Sequence, residues 1–286
     1  MSRGKKRPSI PTHSTAGIVS AEVLSCRVGE ELQLKSDALA SEEPLEIRIR
    51  GRSIAVTMRT PGHDAELAAG FLLTEGIVRN RGDIIETSSC LQSDAPENTL
   101  NIFLSPDVKF DFDRLTRHVF ASSSCGVCGK ASIEAVRQHF APIDSKLRVP
   151  AEMVVQLPEK MRAAQQTFTQ TGGLHAAAIF DAKGRLVVLR EDIGRHNAVD
   201  KAIGYGLLSG SLPFDSHLLL VSGRASFEIV QKALAARIPI IAAVSAASSL
   251  AVEFARENRQ TLIGFLRGKT MNIYSGPERI ADKSVS

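Results

Sequence analysis

Apolar and polar residues alternate through Leu45-Glu46-Ile47-Arg48-Ile49-Arg50 and again from Ile54 to Met58. This is the two-residue period of a strand with one buried face. Gly51-Arg52 supplies a tight turn between the runs, so the pair predicts a hairpin within residues 20 to 60, which read as β structure. Thr60-Pro61-Gly62-His63-Asp64 closes the second strand. Asp64 is placed to cap a helix running through Glu66, Leu67, Ala68, Phe71 and Leu72 to a stop at Gly76. His63 reads as a solvated or capping residue of that turn. Strand-like runs follow at Ile84-Ile85-Glu86-Thr87 and Thr99 to Leu104, with Pro96 and an incidental Cys90 in the polar loop between them. A short helix through Leu115 to Phe120 and a helical pattern at Ile133, Val136 and Phe140 flank the stretch Ser122 to Gly129.

The second half is patterned differently. Pro142, Pro150 and Pro158 mark residues 141 to 160 as a connector, and Leu157-Pro158-Glu159-Lys160 starts a helix with Pro in its first turn. Leu174 to Phe180 and Leu186 to Leu189 are strands joined by the turn Asp181-Ala182-Lys183-Gly184. Then come a strand (Leu218 to Val221), a helix (Phe227 to Ala236), a strand (Ile240 to Val244), a helix (Leu250 to Asn258) and a strand (Thr261 to Leu266). Continuous apolar strands of this kind are expected of a parallel sheet covered on both faces, which makes this half α/β.

In such sheets ligands bind beyond the carboxyl ends of the strands. Three of those ends carry polar, anion-tolerant segments: Val221-Ser222-Gly223-Arg224-Ala225-Ser226, Val244-Ser245-Ala246-Ala247-Ser248-Ser249 and Phe265-Leu266-Arg267-Gly268-Lys269-Thr270. Ser226, Ser245 and Ser248 offer hydroxyls beside helix amides, where a phosphate can sit. A plain N-cap role explains any one of these serines, but not the company of Arg224, Arg267 and Lys269. The densest polar cluster is Arg190-Glu191-Asp192-Ile193-Gly194-Arg195-His196-Asn197, a loop between strand and helix that can supply an acid, a base and a substrate clamp. His175, preceded by a glycine pair, reads as a hydrogen-bonded core histidine.

Ser122-Ser123-Ser124-Cys125-Gly126-Val127-Cys128-Gly129 places two thiols three positions apart among small residues, at or just before a helix N-terminus. Helix amides and a neighbouring thiol lower a cysteine pKa and make a nucleophilic thiolate. Half of a zinc site and a structural accident are the other readings. Composition narrows these. At 286 residues, 43% apolar and 23% charged, the chain is long enough for one large core or two smaller ones, and two domains are expected. Four cysteines are too few for a disulfide framework, so a reducing compartment fits. No apolar run resembles a signal-peptide core or a membrane span, and a cytoplasmic protein without membrane contact is expected. Arg3, Lys5, Lys6 and Arg7 account for the whole net charge of +4, so residues 1–17 form a disordered basic tail on a neutral body. With 5% aromatic residues and no Trp, nucleic acid is not expected as a partner.

Five ordered segments carry a resemblance: Ser124-Cys125-Gly126-Val127-Cys128-Gly129, Thr171-Gly172-Gly173-Leu174-His175-Ala176-Ala177-Ala178, Glu191 to Lys201, Ser222 to Glu228 and Val244 to Ser248. Together they resemble the FdhD family, the formate dehydrogenase accessory sulfurtransferases, from about residue 20 to residue 280. The resemblance implies an α/β fold with a cytidine-deaminase-like three-layer C-terminal domain (146–286). A smaller mixed α+β N-terminal domain (18–121) and a CxxC loop and helix (122–145) precede it. It implies a sulfur carrier that takes persulfide sulfur from a cysteine desulfurase. The sulfur passes to the bis-molybdopterin guanine dinucleotide molybdenum cofactor, bound as substrate, before insertion into apo formate dehydrogenase. Cys125 would carry the persulfide and Cys128 would assist or resolve it as a disulfide. Phe265, Leu266, Arg267, Gly268, Lys269 and Thr270 map onto the cofactor-binding segment, with Arg224, Ser226, Ser245, Ser248 and His196 beside it. A homodimer is also implied.

Two rivals belong to other classes. A zinc deaminase needs an H-x-E segment, and here His175-Ala176-Ala177 has Ala in place of the catalytic Glu, while Ser124 replaces the Pro before the first cysteine. The proton shuttle is missing, and no metal is expected, a structural zinc on Cys125, Cys128 and a histidine being the alternative. A pure cofactor chaperone would keep the binding loops and make no use of the thiols.

Overall fold

The structure of the chain, a computed structural model, describes residues 14–15, 17–90, 93–109, 112 and 140–281. Strands β1 (Ser14–Thr15), β2 (Ile18–Ser25) and β3 (Gln33–Ala40) form an antiparallel sheet in that order. Strands β4 (Glu43–Ile49) and β5 (Arg52–Arg59) are the expected hairpin. Its turn residues Arg50 and Gly51 have φ of 51° and 76°, the left-handed pair that a two-residue hairpin loop demands.

Helix α1 (Asp64–Thr74) follows, and it corrects the expected cap. His63, at φ 59°, occupies the N-cap position with no side-chain cap bond. Asp64 is the first helical residue, and its two carboxylate oxygens accept from Arg59 Nε and Nη2 at 3.0 Å each. The buried guanidinium competes for the carboxylate and takes it from the helix amides. The helix stops as expected at Gly76, φ 72°. Strands β6 (Ile84–Ser89) and β7 (Thr99–Leu104) complete a four-stranded sheet ordered β5-β4-β7-β6.

In the second half β8 (Val149–Pro150) leads into α2 (Ala151–Val154), α3 (Leu157–Ala164) and α4 (Gln166–Thr171). The expected connector is thus partly helical. Then come β9 (His175–Asp181), β10 (Leu186–Asp192), α5 (Arg195–Leu208), β11 (His217–Val221), α6 (Phe227–Ala235) and β12 (Ile240–Ala243). Helix α7 (Ser249–Glu257), β13 (Thr261–Arg267), β14 (Thr270–Ser275) and β15 (Ile280–Ala281) finish the chain, with β15 pairing β8. The main sheet runs β10-β9-β11-β12-β13-β14. Only β11, β12 and β13 are parallel to one another. Strand β9 is antiparallel to both β10 and β11, and β14 to β13. The parallel expectation therefore holds for the centre and not for the flanks, because a short turn can only return a strand antiparallel. The alternation along β9, β11 and β12 sends Ala177, Ile179, Leu219, Val221, Ile241 and Ala243 into one core and Ala176, Ala178, Phe180, Leu218, Leu220, Ile240 and Ala242 into another.

The first of these cores continues into the N-terminal half, through Leu67, Leu72, Ile47 and Ile102. Helices α1 and α5 meet inside it, backbone against backbone. A Cβ on Gly70 would stand 1.9 Å from the Asp200 carbonyl oxygen, and one on Gly204 would stand 1.8 Å from that of Glu66. Buried charges along this seam are mated. Lys201 Nζ lies 2.7 Å from Asp192 Oδ2 and donates to Thr60 O at 2.7 Å. Lys232 Nζ donates to Asp200 at 2.8 Å and to Thr74 Oγ1 at 2.9 Å. The Arg190 fork on β10 grips Glu66 on α1, with Nη2 to Oε1 at 2.8 Å.

Candidate functional site

Parallel pairing of β11, β12 and β13 puts their carboxyl ends on one edge of the sheet, and the antiparallel β9 and β10 bring His175 and Asp192 to the same edge. The loops there are stitched into a ledge. Ala225 N donates to Ala246 O at 3.0 Å, Ser248 N to Ala225 O at 3.1 Å, and Phe265 N to Ser245 O at 2.9 Å. Gly264 makes the last approach possible, since a Cβ there would lie 3.2 Å from Ser245 O and 3.0 Å from the Tyr274 ring. Three strand-end segments read from the sequence are therefore neighbours in space.

Their side chains divide by role. Ser248 is an N-cap, its Oγ accepting from Ala251 N at 3.3 Å. Ser226 holds the equivalent position before α6 but caps nothing. Its hydroxyl lies 3.2 Å from His196 Nε2, which is also 3.0 Å from Glu228 Oε2. Both partners share one ring nitrogen, so this is not a serine–histidine–carboxylate relay, which runs through two. Ser245 contributes its carbonyl to the ledge. Arg224, Arg267 and Lys269 are exposed and have no carboxylate partner among the described residues. The Arg267 guanidinium sits 5.5 Å from the Phe265 ring centre, and Thr270 Oγ1 donates to Arg267 O at 3.1 Å, pinning the hairpin tip around Gly268 at φ 57°. The Leu266 side chain is fully buried in the core, so it packs and does not reach a ligand.

The cluster Arg190 to Asn197 is not the expected acid–base loop. Arg190, Glu191 and Asp192 end β10, Arg195 begins α5, and only Ile193 and Gly194 lie between. Glu191 accepts from the Thr167 and Phe168 amides at 3.0 and 2.8 Å, which caps α4. Asp192 accepts from Thr60 N at 3.2 Å, Gly194 N at 2.8 Å and Asn197 Nδ2 at 3.0 Å in addition to pairing with Lys201. Asp192 fastens the two halves together through Thr60, and Glu191 caps a helix of its own half, so both carboxylates are engaged by the fold.

Arg195 and His175 are what remains. The His175 ring has no hydrogen-bond partner among the described residues, against the expectation of a bonded core histidine. Burial pushes its pKa down, the neighbouring Arg195 and His196 push it further, and Asp192 opposes them. Arg195 Nε is buried with no hydrogen-bond partner. Sequence reasoning named Arg195 only as part of its cluster, and a lone Arg opening a helix carries no further signal. Cys125 and Cys128 lie outside the described residues. Among the described residues no group of three or more His, Cys, Asp or Glu side chains could hold a metal ion. No described helix is long and apolar enough to cross a membrane.

The model of the FdhD/NarQ family matches residues 40–281. The sulfur carrier protein FdhD of Streptomyces avermitilis is 50% identical over 254 residues, covering 86% of this chain and 90% of the relative. That of Mycobacterium tuberculosis is 49% identical over 260 residues, covering 88% and 94%. A solved structure from Desulfotalea psychrophila, described as a formate dehydrogenase accessory protein, is similar with a TM-score of 0.74 at 25% identity, covering 92% of this chain and 99% of that one.

Proposed function

The chain belongs to the FdhD/NarQ family, and on that premise we propose that it is a sulfur carrier serving a formate dehydrogenase. Cys125 is the carrier. Its thiolate attacks the outer sulfur of a persulfide on a cysteine desulfurase. A sulfur–sulfur bond forms on Cys125 as the donor's breaks, and the donor leaves as a thiolate with no net oxidation. Delivery as sulfide requires two electrons. Cys128 supplies them by closing a disulfide with Cys125 and expelling HS⁻ to the molybdenum of the acceptor, and a thiol reductant resets the pair.

The acceptor is the bis-molybdopterin guanine dinucleotide cofactor, bound as substrate on the ledge before insertion into apo formate dehydrogenase. Its pyrophosphates meet Arg224, Arg267 and Lys269, cations that no described carboxylate neutralises. Any kinship of the second half with cytidine deaminases is one of fold, since Ala177 stands where their H-x-E segment has its proton-transferring Glu. The protein works in the cytoplasm as a homodimer.

One observation carries the reading: 50% identity over 254 residues with a protein named a sulfur carrier. The test is incubation with a desulfurase and ³⁵S-cysteine. The wild-type chain acquires label that a reductant removes, and Cys125→Ala acquires none while still binding the cofactor. Undiminished label on Cys125→Ala would overturn the assignment of the carrier, and an unlabelled wild type would leave a cofactor chaperone instead.

A further inference from the structure

The hairpin of β2 and β3 belongs to neither hydrophobic core. Its strands pair over eight positions, from Ile18 with Ala40 to Ser25 with Gln33, without a bulge. Strand β1 covers only Ile18 and Val19, so beyond them the hairpin is two-stranded among the described residues. At about 3.3 Å per residue it is an arm about 25 Å long. Every residue from Cys26 to Asp37 is exposed. A bare two-stranded hairpin is marginal in water, yet this one carries its large apolar residues at the outer end. Leu24 and Leu34 face each other across the strands, Leu32 continues their face, and Val28 stands in the tip loop. The three leucines are 59%, 64% and 60% exposed and Val28 is 99% exposed. Nearer the body the same face is polar, with Ser20 Oγ 2.9 Å from Ser36 Oγ. An apolar patch placed as far as possible from the chain's own core is a surface for a partner to cover.

Charge defines that partner. Between residues 20 and 39 the acids Glu22, Glu30, Glu31 and Asp37 outnumber Arg27 and Lys35, and Arg27 is engaged by Glu30 at 3.3 Å. Glu30 and Glu31 border the apolar tip, so the groove that receives it is apolar with basic side chains at its rim. The arm of a second copy would instead bring like acids together. Position narrows the choice further. At the base of the arm a Cβ on Gly173 would lie 3.4 Å from Ala40 Cβ, two residues before His175, and one on Gly17 would lie 3.1 Å from Thr60, whose amide binds Asp192. The arm is rooted at the sheet edge that forms the ledge.

We infer that the β2–β3 arm is a docking finger for the protein that takes the cofactor from the ledge, the apo acceptor enzyme, whose apolar, basic-rimmed groove closes over Leu24, Val28, Leu32 and Leu34. This rests on the proposed delivery to apo formate dehydrogenase and adds the surface that seats it. The 21 residues from Val19 to Leu39 suffice for one side of an ordinary interface, which takes about 20–30. Sulfur loading at Cys125 is independent of the arm.

The experiment measures binding of the full chain to purified, cofactor-free formate dehydrogenase on a sensor surface, with ³⁵S loading and light scattering alongside. Leu24→Ser/Leu34→Ser should weaken binding by about tenfold or more, as loss of a central apolar anchor does. Glu30→Lys/Glu31→Lys should weaken it less and abolish its sensitivity to salt. All four side chains are exposed, and circular dichroism checks each fold; if the leucine pair does not fold, the glutamate pair, in the loop beyond the strands, decides. Label on Cys125 and the molecular mass should stay at wild-type values. Acceptor binding that neither pair changes, or that the wild type lacks, overturns the finger. A fall in mass would assign the arm to a second copy and a loss of label would assign it to the sulfur donor, and either overturns it too. A labelled wild type with indifferent arm variants strikes the finger alone, whereas an unlabelled wild type strikes the sulfur-carrier reading.

Discussion

At the seam between α1 and α5, Lys201, Lys232 and Arg190 each meet a carboxylate, whereas at the strand ends Arg195, Arg224, Arg267 and Lys269 meet none among the described residues. Glycines mark both regions for opposite reasons. At the seam Gly70 and Gly204 admit a neighbouring helix backbone; on the ledge Gly223 keeps a space between side chains. The difference follows from water. A charge buried without a partner costs several kcal/mol, so the dry seam requires mated ions. Exposed cations cost little when solitary, so the ledge can keep them for a phosphate-bearing substrate. Arg195 combines a buried donor with a solitary charge, which is why it stands out.

The comparison can be broken most severely at the seam. Gly204→Ala drives a methyl group into the Glu66 carbonyl of α1 and should destabilise the chain by more than about 4 kcal/mol, read as loss of a cooperative thermal transition. A variant of near wild-type stability would mean the helices do not pack backbone to backbone.

A smaller effect distinguishes a mated charge from a solvated one. Burial alone would raise the pKa of Glu66, but the Arg190 fork and His63 hold it at about 2, below its ordinary 4.5. A carboxylate whose folded pKa is depressed adds stability above its unfolded pKa and loses it as protons bind. The wild type should therefore lose stability progressively as pH falls from 4.5 toward about 2. Glu66→Gln should be less stable at neutral pH and show a shallower acid limb. An unchanged limb in urea melts across that range would remove Glu66 from the seam.

The smallest effect belongs to the ledge. Arg267→Ala/Lys269→Ala should melt within about 0.5 kcal/mol of wild type, as surface substitutions without structural partners do. A large loss of stability would mean these cations support the fold and are not reserved for a ligand.

Much of this contrast could be read from residue patterns. The Leu45 to Met58 hairpin, the helix ending before Gly76 and the strand–helix–strand series from Leu218 onward stand where their periodicities put them, because each is set by local geometry and one-sided burial. Strand β14 was not anticipated: Thr270-Met271-Asn272-Ile273-Tyr274-Ser275 lies at the sheet edge, largely out of the core, where little apolar pattern is required. The site was legible as three polar segments after three strands. Its division of labour was not. Ser226 and Ser248 are equivalent in local sequence, yet one caps its helix and the other turns to His196, a residue 30 positions away. Glu191 and Asp192 looked like catalytic acids and proved to be fasteners, because the amides they receive come from α4 and from Thr60.

By itself, the sequence determined which segments become strands and helices, that the second half is α/β, and that polar, cationic segments follow consecutive strands. Periodicity and turn chemistry act over a few residues, and nothing distant is needed to read them. Only the tertiary structure decided which charges are used up. Lys201 and Arg224 are both basic residues of the second half, and what separates them is whether the folded chain brings a carboxylate within reach and excludes water around it. That depends on residues far apart in sequence, and it leaves Arg195 without a described partner.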